Sequence, residues 1–352
     1  MVDLSPLIQY WTHVETGSSG SCPRKRRRYE ESYDDSTSIA KELDWPRATL
    51  VIRINNMSQN GKMITGLPCS LSDFHGEAGI APNAHMEMKN DAFRYFENLK
   101  SLDLRFCDYT TITSDAFGHL TNLQALYMGW CKQETITDDA FRYLTNLQSL
   151  EMSYCSQITN NAFQHLTNLQ CLDMNHCLQI TSEAFLHLTK LKALYMKCCT
   201  QRTIQKEDFR YLTKLQTLDM SGCNQRTITD DGLRHLTNLQ SLDMSMCDQT
   251  TITDNAFQYW TNLQSLRMQS CKQETITDDA FSQLTNLKVL DMSYCKQETI
   301  TEDAFRHLRN LQSLGICVCK QRTISDGAFR HLTNLTSLNV NQETIADIVL
   351  DI

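Results

Sequence analysis

One cysteine returns at a near-constant distance through most of this 352-residue chain, and such a period decides a fold before any local preference does. Cys107, Cys131, Cys155, Cys177, Cys199, Cys223, Cys247, Cys271, Cys295 and Cys319 follow one another at 24 residues, except for the steps into Cys177 and Cys199, which are 22. The missing residues fall just after the cysteine, where Ser156-Gln157-Ile158 stands in place of Lys132-Gln133-Glu134-Thr135-Ile136. The connecting loop changes length there; the strand does not.

One unit runs from Leu123 to Asn146. Leu126 and Met128 alternate with polar or aromatic neighbours, the period of a short strand with one buried face. Ile136, Ala140, Phe141 and Leu144 then switch to helical spacing. Asp138 and Asp139 stand where the helix starts, and the expectation is that they cap its free amides. Each unit is therefore strand, turn and short helix, an α/β repeat. No unit can enclose its own apolar face, so neighbours must stack, with parallel strands in register along one inner wall. At about 4.8 Å per strand, eleven such strands give a wall roughly 50 Å long.

The run Ala140-Phe141-Arg142-Tyr143-Leu144-Thr145-Asn146-Leu147-Gln148-Ser149-Leu150 resembles the standard leucine-rich repeat. The ladder cysteine with Ile-Thr-Asp after it is similar to that family's cysteine-containing subtype. The resemblance covers about three quarters of the chain. It implies an α/β leucine-rich-repeat solenoid: a curved horseshoe with strands on the concave face, short helices on the convex face, and a binding role, usually toward proteins. Cysteine-type repeats often follow an F-box, so a substrate receptor of a ubiquitin ligase is one alternative to a plain adaptor. In the leader only Leu4-Ser5-Pro6-Leu7-Ile8 suggests an F-box, and the helices that should follow it are missing. A structural or surface adhesion repeat protein is a second alternative.

Three stretches are expected along the chain. Residues 1–44 read as a disordered leader with a basic cluster. Residues 45–87 read as an irregular N-terminal cap whose Leu50–Asn55 is a degenerate first strand. Residues 88–352 form the solenoid, ending in a copy that loses its cysteine at Asn339-Val340-Asn341-Gln342 and caps the array. In the leader, Arg24, Lys25, Arg26, Arg27 and Arg28 are a candidate nuclear import signal; the bland reading is a solubilising cluster offset by Glu30, Glu31, Asp34 and Asp35.

The net charge of −8 and pI near 5.7 oppose a nucleic-acid binder, which needs a basic face to displace counterions. No apolar run approaches the roughly 18 to 20 residues of a membrane-spanning helix, and the N-terminus has no basic leader followed by an apolar stretch. The expectation is an intracellular protein, cytoplasmic or nuclear or both, without a membrane partner. The ladder cysteines are spread along a line instead of around a point, so they read as buried thiols bonded weakly to turn carbonyls, with no metal and no cofactor. There is no phosphate loop or nucleophile elbow, and catalysis is not expected.

Binding residues belong at the strand positions that face the hollow. Between the two core positions stand Asp103, Tyr127, Glu151, Asp173, Tyr195, Asp219, Asp243, Arg267, Asp291, Gly315 and Asn339, six of the eleven acidic. Just past the strands come Phe106, Trp130 and Tyr154. Aromatic anchors followed by an acidic stripe suit a protein partner with a basic surface, with no small-molecule substrate, and a chain that is monomeric outside its complexes. The bland alternative is inheritance: a copied unit copies its side chains. The aromatic positions resist that alternative, because they vary between copies whose core residues hardly do. Along the helices a row of histidines and tyrosines, with His165 near His187 and His307 near His331, reads as an exposed convex ladder.

Overall fold

The computed structural model describes residues 51–53, 90, 93, 98–105, 112–131, 133–200, 204, 208–224, 226–248, 250–271, 274–295, 299–317 and 329–340, all within a compact unit spanning Arg47–Ile352. Twelve short strands lie side by side in chain order as one parallel sheet. They are β1 (Val51–Arg53), β2 (Ser101–Asp103), β3 (Ala125–Tyr127), β4 (Ser149–Glu151), β5 (Cys171–Asp173) and β6 (Ala193–Tyr195), then β7 (Thr217–Asp219), β8 (Ser241–Asp243), β9 (Ser265–Arg267), β10 (Val289–Asp291), β11 (Ser313–Gly315) and β12 (Ser337–Asn339). From β2 to β12 each strand centres on a leucine, buried in the core from β2 to β11 and partly buried in β12, and those leucines sit opposite one another. The register survives the short repeats: Leu150 faces Leu172, and Leu172 faces Leu194. Two residues are lost from the connection, and the pairing does not slip.

The helical half of each unit is wound more tightly than its spacing suggests. Ser114–His119, Asp138–Tyr143, Asn160–His165, Ser182–His187, Asp208–Tyr211, Asp278–Phe281 and Glu302–Phe305 are 3₁₀ segments, while Asp230–Leu233 and Asp254–Phe257 each make a single α turn. A run this brief gains little from the α form, and the 3₁₀ form spans the same loop-to-strand distance in fewer residues. Their inward side chains build one continuous column: Phe117, Phe141, Phe163, Phe185, Phe209, Phe257, Phe281 and Phe305 are all fully buried. Trp260 takes the place of a core leucine beside Phe257, and its indole N–H donates to the Leu233 carbonyl at 3.4 Å.

The capping expectation for Asp138 needs correcting. Its carboxylate accepts from the backbone N–H of Thr159, 2.7 Å away in the next repeat, and from that threonine's hydroxyl. Asp230 does the same to Thr253, Asp254 to Thr277 and Asp278 to Thr301, at 2.6 to 2.8 Å. The threonine before each helix is extended, which aims its amide at the neighbouring repeat's aspartate. Thr253, Thr277 and Thr301 supply the cap themselves, accepting from the amide two residues on. The aspartates staple repeats together.

The cysteine ladder is a second staple. From Cys155 to Cys295 each ladder thiol reaches back to the methionine carbonyl of the preceding repeat: Cys155 to Met128 at 2.9 Å, Cys177 to Met152 at 3.1 Å, Cys199 to Met174 at 3.2 Å, and so on through Cys295 to Met268 at 3.0 Å. Burial pushes the thiols of Cys155, Cys177, Cys199, Cys223, Cys247 and Cys271 up, Cys177 and Cys199 to about 12, so they stay protonated donors. No helix among the described residues is long and apolar enough to cross a membrane.

Candidate protein-binding rim

The residues expected to line the hollow divide into a floor, on the strands, and a rim, on the turns that follow. The floor is dominated by carboxylates, and their hydrogen bonds point back at the chain. Asp173 accepts from the Asn175 amide at 3.0 Å and the Ser153 hydroxyl at 2.7 Å. Asp219, Asp243 and Asp291 accept from the amides of Ser221, Ser245 and Ser293 at 2.9 to 3.0 Å. Asp103 accepts from the Arg105 amide at 3.1 Å and is clamped by the Arg105 guanidinium at 2.7 and 3.0 Å. This is the aspartate turn, in which a short acidic side chain takes the amide two residues on and so fixes where the strand ends.

Glu151 reaches further than an aspartate can. It accepts from its own repeat's Ser153 amide at 3.3 Å and from Gly129 of the preceding repeat at 3.1 Å. Gly129 is required by that carboxylate, since a Cβ there would lie 2.1 Å from Glu151 Oε1. Asp103, Glu151 and Asp173 are only 5, 6 and 6% exposed, whereas Asp219, Asp243 and Asp291 are half-buried. Burial raises the Glu151 carboxyl above the usual carboxylate range; burial and then the neighbouring Asp219 charge do the same to Asp243. Tyr127 and Tyr195 lie half-buried among these acids, and burial raises both phenols. Arg105 lies over the Tyr127 ring at 5.4 Å.

The rim is built differently. After each strand from β3 to β10 the cysteine amide closes a turn onto the methionine carbonyl three residues back, as in Cys131 to Met128 at 3.0 Å and Cys155 to Met152 at 3.1 Å. The third residue of that turn takes a positive φ: Trp130 (59°), Tyr154 (62°), His176 (59°), Cys198 (54°), Gly222 (67°), Met246 (57°), Ser270 (56°) and Tyr294 (62°). Glycine is the residue for such a position, and a bulky side chain there carries a steric cost of order 1–2 kcal/mol. Only Gly222 meets the backbone's preference. The turn recurs in all eight of these copies and is architectural; the choice of side chain it carries is not.

Trp130, Tyr154 and His176 exploit the shared geometry. Their rings stack in succession, Trp130 on Tyr154 at 3.8 Å with 24° between planes and Tyr154 on His176 at 4.2 Å with 14°. Trp130 is still 44% exposed and Tyr154 39%. Because both faces of Tyr154 are covered, what it offers solvent is ring edge and hydroxyl. Burial and the nearby Lys197 hold His176 below the ordinary histidine range, so it is neutral at pH 7. Sequence reasoning found Trp130 and Tyr154 and passed over His176; the signal was its place in the same column.

Phe106 and the basic run Arg24 to Arg28 lie outside the described residues. On the helical side the histidine and tyrosine row is occupied by its arginine neighbours. Arg142 and Arg210 each stack on the following tyrosine at 4.6 Å, and Arg306 and Arg330 donate to the Nε2 atoms of His307 and His331 at 2.8 and 3.0 Å. Among the described residues no cluster of three or more histidine, cysteine or acidic side chains is arranged to hold a metal ion.

No curated protein matches the sequence significantly. Among solved structures, Toll-like receptor 13 in complex with a single-stranded RNA superposes with a TM-score of 0.57 at 24% identity over 72% of this chain, which spans only 38% of that protein's length. An internalin (InlF) of Listeria monocytogenes gives 0.48 at 21% identity, covering 70% of this chain and 83% of its own. Toll in its complex with Spätzle from Drosophila gives 0.45 at 19% identity, covering 74% and 43%. The Toll-like receptor superposition agrees with the solenoid fold; identities this low carry nothing more. The sequence itself matches the BspA type leucine rich repeat region (6 copies) over residues 80–192, 110–240, 178–312 and 226–349, and the chain belongs to that family.

Proposed function

We propose that the protein is a non-catalytic intracellular scaffold that binds another protein through the aromatic rim at Trp130, Tyr154 and His176. The observation that carries this reading is the placement of three consecutive stacked rings on turns whose backbone favours glycine, with Trp130 and Tyr154 still exposed and His176 half-buried. A chain accepts that steric cost where the side chain itself is wanted. Aromatic groups held rigidly by their neighbours are the usual anchors of protein interfaces, since little entropy is lost when they are covered.

Two features favour a protein over the RNA bound by the Toll-like receptor. Single-stranded nucleic acid is gripped by stacking bases on free ring faces beside a basic groove. Here both faces of Tyr154 are consumed within the stack, and the chain carries a net charge of −8. The half-buried Asp219, Asp243 and Asp291 further along the floor add a negative field that suits a basic partner surface. Catalysis has little to work with: the floor carboxylates are engaged with backbone amides, and the ladder thiols are held protonated.

The test is affinity capture from native extract with the full chain, comparing wild type with the double variant Trp130→Ala, Tyr154→Ala after circular dichroism has verified folding. Specific proteins retained by wild type should be lost from the variant. If the folded variant retains the same proteins, the rim is inherited repeat chemistry and the reading fails.

A further inference from the structure

We infer that the protein carries a second binding site, independent of the rim: a groove along the entry ends of β8 to β12 that takes an extended, neutral glycan. The groove has a volume of about 560 Å³, within the roughly 300–1,000 Å³ of small-ligand sites. Such sites are ordinarily apolar with a few polar groups. This one is lined by seven carboxamides and one lysine, so its occupant is polar along its whole length.

Two columns of side chains form it. Asn262, Asn286, Asn310 and Asn334 each donate from Nδ2 to a backbone carbonyl of the preceding repeat at 2.8 to 3.1 Å. That bond explains why asparagine stands there, and it leaves each Oδ1 without a hydrogen bond among the described residues. In the second column the backbone alone serves the architecture, the Gln264 amide donating to the Gln240 carbonyl at 2.7 Å and the Gln312 amide to the Lys288 carbonyl at 2.8 Å. The side chains of Gln240 and Gln312 are exposed and make no hydrogen bond among the described residues. Gln264 spends only its Oε1, which accepts from Lys288 Nζ at 3.0 Å. Earlier in the chain the same columns close on themselves: Lys190 Nζ donates to Asn168 Oδ1 at 2.7 Å and Gln170 Nε2 to Gln148 Oε1 at 3.5 Å.

Charge and period select the occupant. A row of asparagine oxygens repels carboxylates and phosphates, and the groove is lined by no acid that would hold a cation. A carboxamide offers donor and acceptor together, the same pair that a hydroxyl group brings. Period then separates a sugar chain from a peptide. The columns repeat at the strand spacing, about 4.8 Å, whereas groups on one side of an extended peptide recur about every 6.8 Å and are out of step by the second level. A pyranose ring in an extended β-linked glycan advances its chain by close to one strand spacing, so each ring meets one asparagine and one glutamine or lysine. Four levels span three spacings, about 14 Å, which accommodates a short run of rings.

The experiment titrates the full chain calorimetrically with β-linked cello-oligosaccharides of increasing length and with coiled, α-linked maltohexaose. Cellohexaose should bind, with affinity gained from cellobiose to cellotetraose and little gained beyond. The double variant Gln240→Leu, Gln312→Leu removes two carboxamides that the fold does not use, and it should bind cellohexaose at least about tenfold more weakly. Gln124→Leu with Gln148→Leu, in the same column but outside the groove, should leave the affinity unchanged. Melting curves verify that each variant folds. No binding of cellohexaose to wild type, equal binding to the groove variant, or maltohexaose bound as tightly would overturn the proposal. The Trp130→Ala, Tyr154→Ala variant should keep the glycan, and since the rim is judged by protein capture, either site can fail without the other.

Discussion

Floor and rim lie within a few residues of each other in every repeat, and their chemistry is opposite. On the floor, Asp173 and its equivalents are among the most interactive polar side chains, yet each is turned to the chain's own amides. On the rim, the backbone completes its hydrogen bonds unaided, as where the Trp130 amide donates to the Ser153 carbonyl at 2.8 Å, and the side chain is left over. The difference teaches where a repeat protein can vary. A position whose side chain closes a turn is fixed by that task; a position whose backbone needs nothing from its side chain can carry anything, at a steric cost common to most residues.

The comparison can be broken by substitution. Asp173→Ala should be the most damaging, leaving the Asn175 amide and the Ser153 hydroxyl without their buried acceptor, and chemical denaturation should show a loss of about 1–3 kcal/mol, with rim binding intact in the folded fraction. Gly129→Ala drives a methyl into the buried Glu151 carboxylate and should cost about 1–3 kcal/mol; adding Glu151→Asp should recover part of it, a coupling a double-mutant cycle reads directly. On the rim, Tyr154→Gly should be more stable than Tyr154→Ala by about 1 kcal/mol, the reverse of the order in a helix or strand, because of the positive φ.

The smallest effect concerns pH. The Glu151 carboxyl titrates above its unfolded value, so the folded protein holds that proton more tightly. Its contribution to stability is present below the unfolded pKa and is lost as pH rises through the folded one. Denaturation midpoints of wild type relative to Glu151→Gln should therefore shift in favour of wild type as pH falls from 7 toward 4. A shift the other way would mean that the two amide donors outweigh burial.

Most of the scaffold was legible because repetition averages out local ambiguity: Leu126, Met128, Ile136 and Phe141 each appear in column after column, and the thiol-to-carbonyl bond follows from a small buried donor beside a turn. What escaped was anything decided between repeats. Asp138 looks like a cap from within its own unit, and only the stacked neighbour reveals Thr159 as its partner. Nothing in the sequence shows that the floor aspartates also accept from the amide two residues on and so fix the turn. The positive φ beneath Trp130 and Tyr154 left one trace in the sequence, Gly222 in the same column, which is weak evidence until the backbone is known.

The staples also run one way. Cys155 donates to Met128, Thr251 to Ile228, and Asn146, Asn238 and Asn262 to the carbonyls of Thr121, Thr213 and Thr237, each from a later repeat to an earlier one. The array therefore has a direction beyond that of its chain. The backbone bonds of the sheet run both ways, the Gln148 amide donating to the Gln124 carbonyl of the earlier repeat and the Trp130 amide to the Ser153 carbonyl of the later one, so peeling a unit from either end strands amides and bares carbonyls alike. The asymmetry belongs to the side-chain staples: a thiol such as Cys155 loses its acceptor when the repeat before it is removed and keeps it when the repeat after it goes.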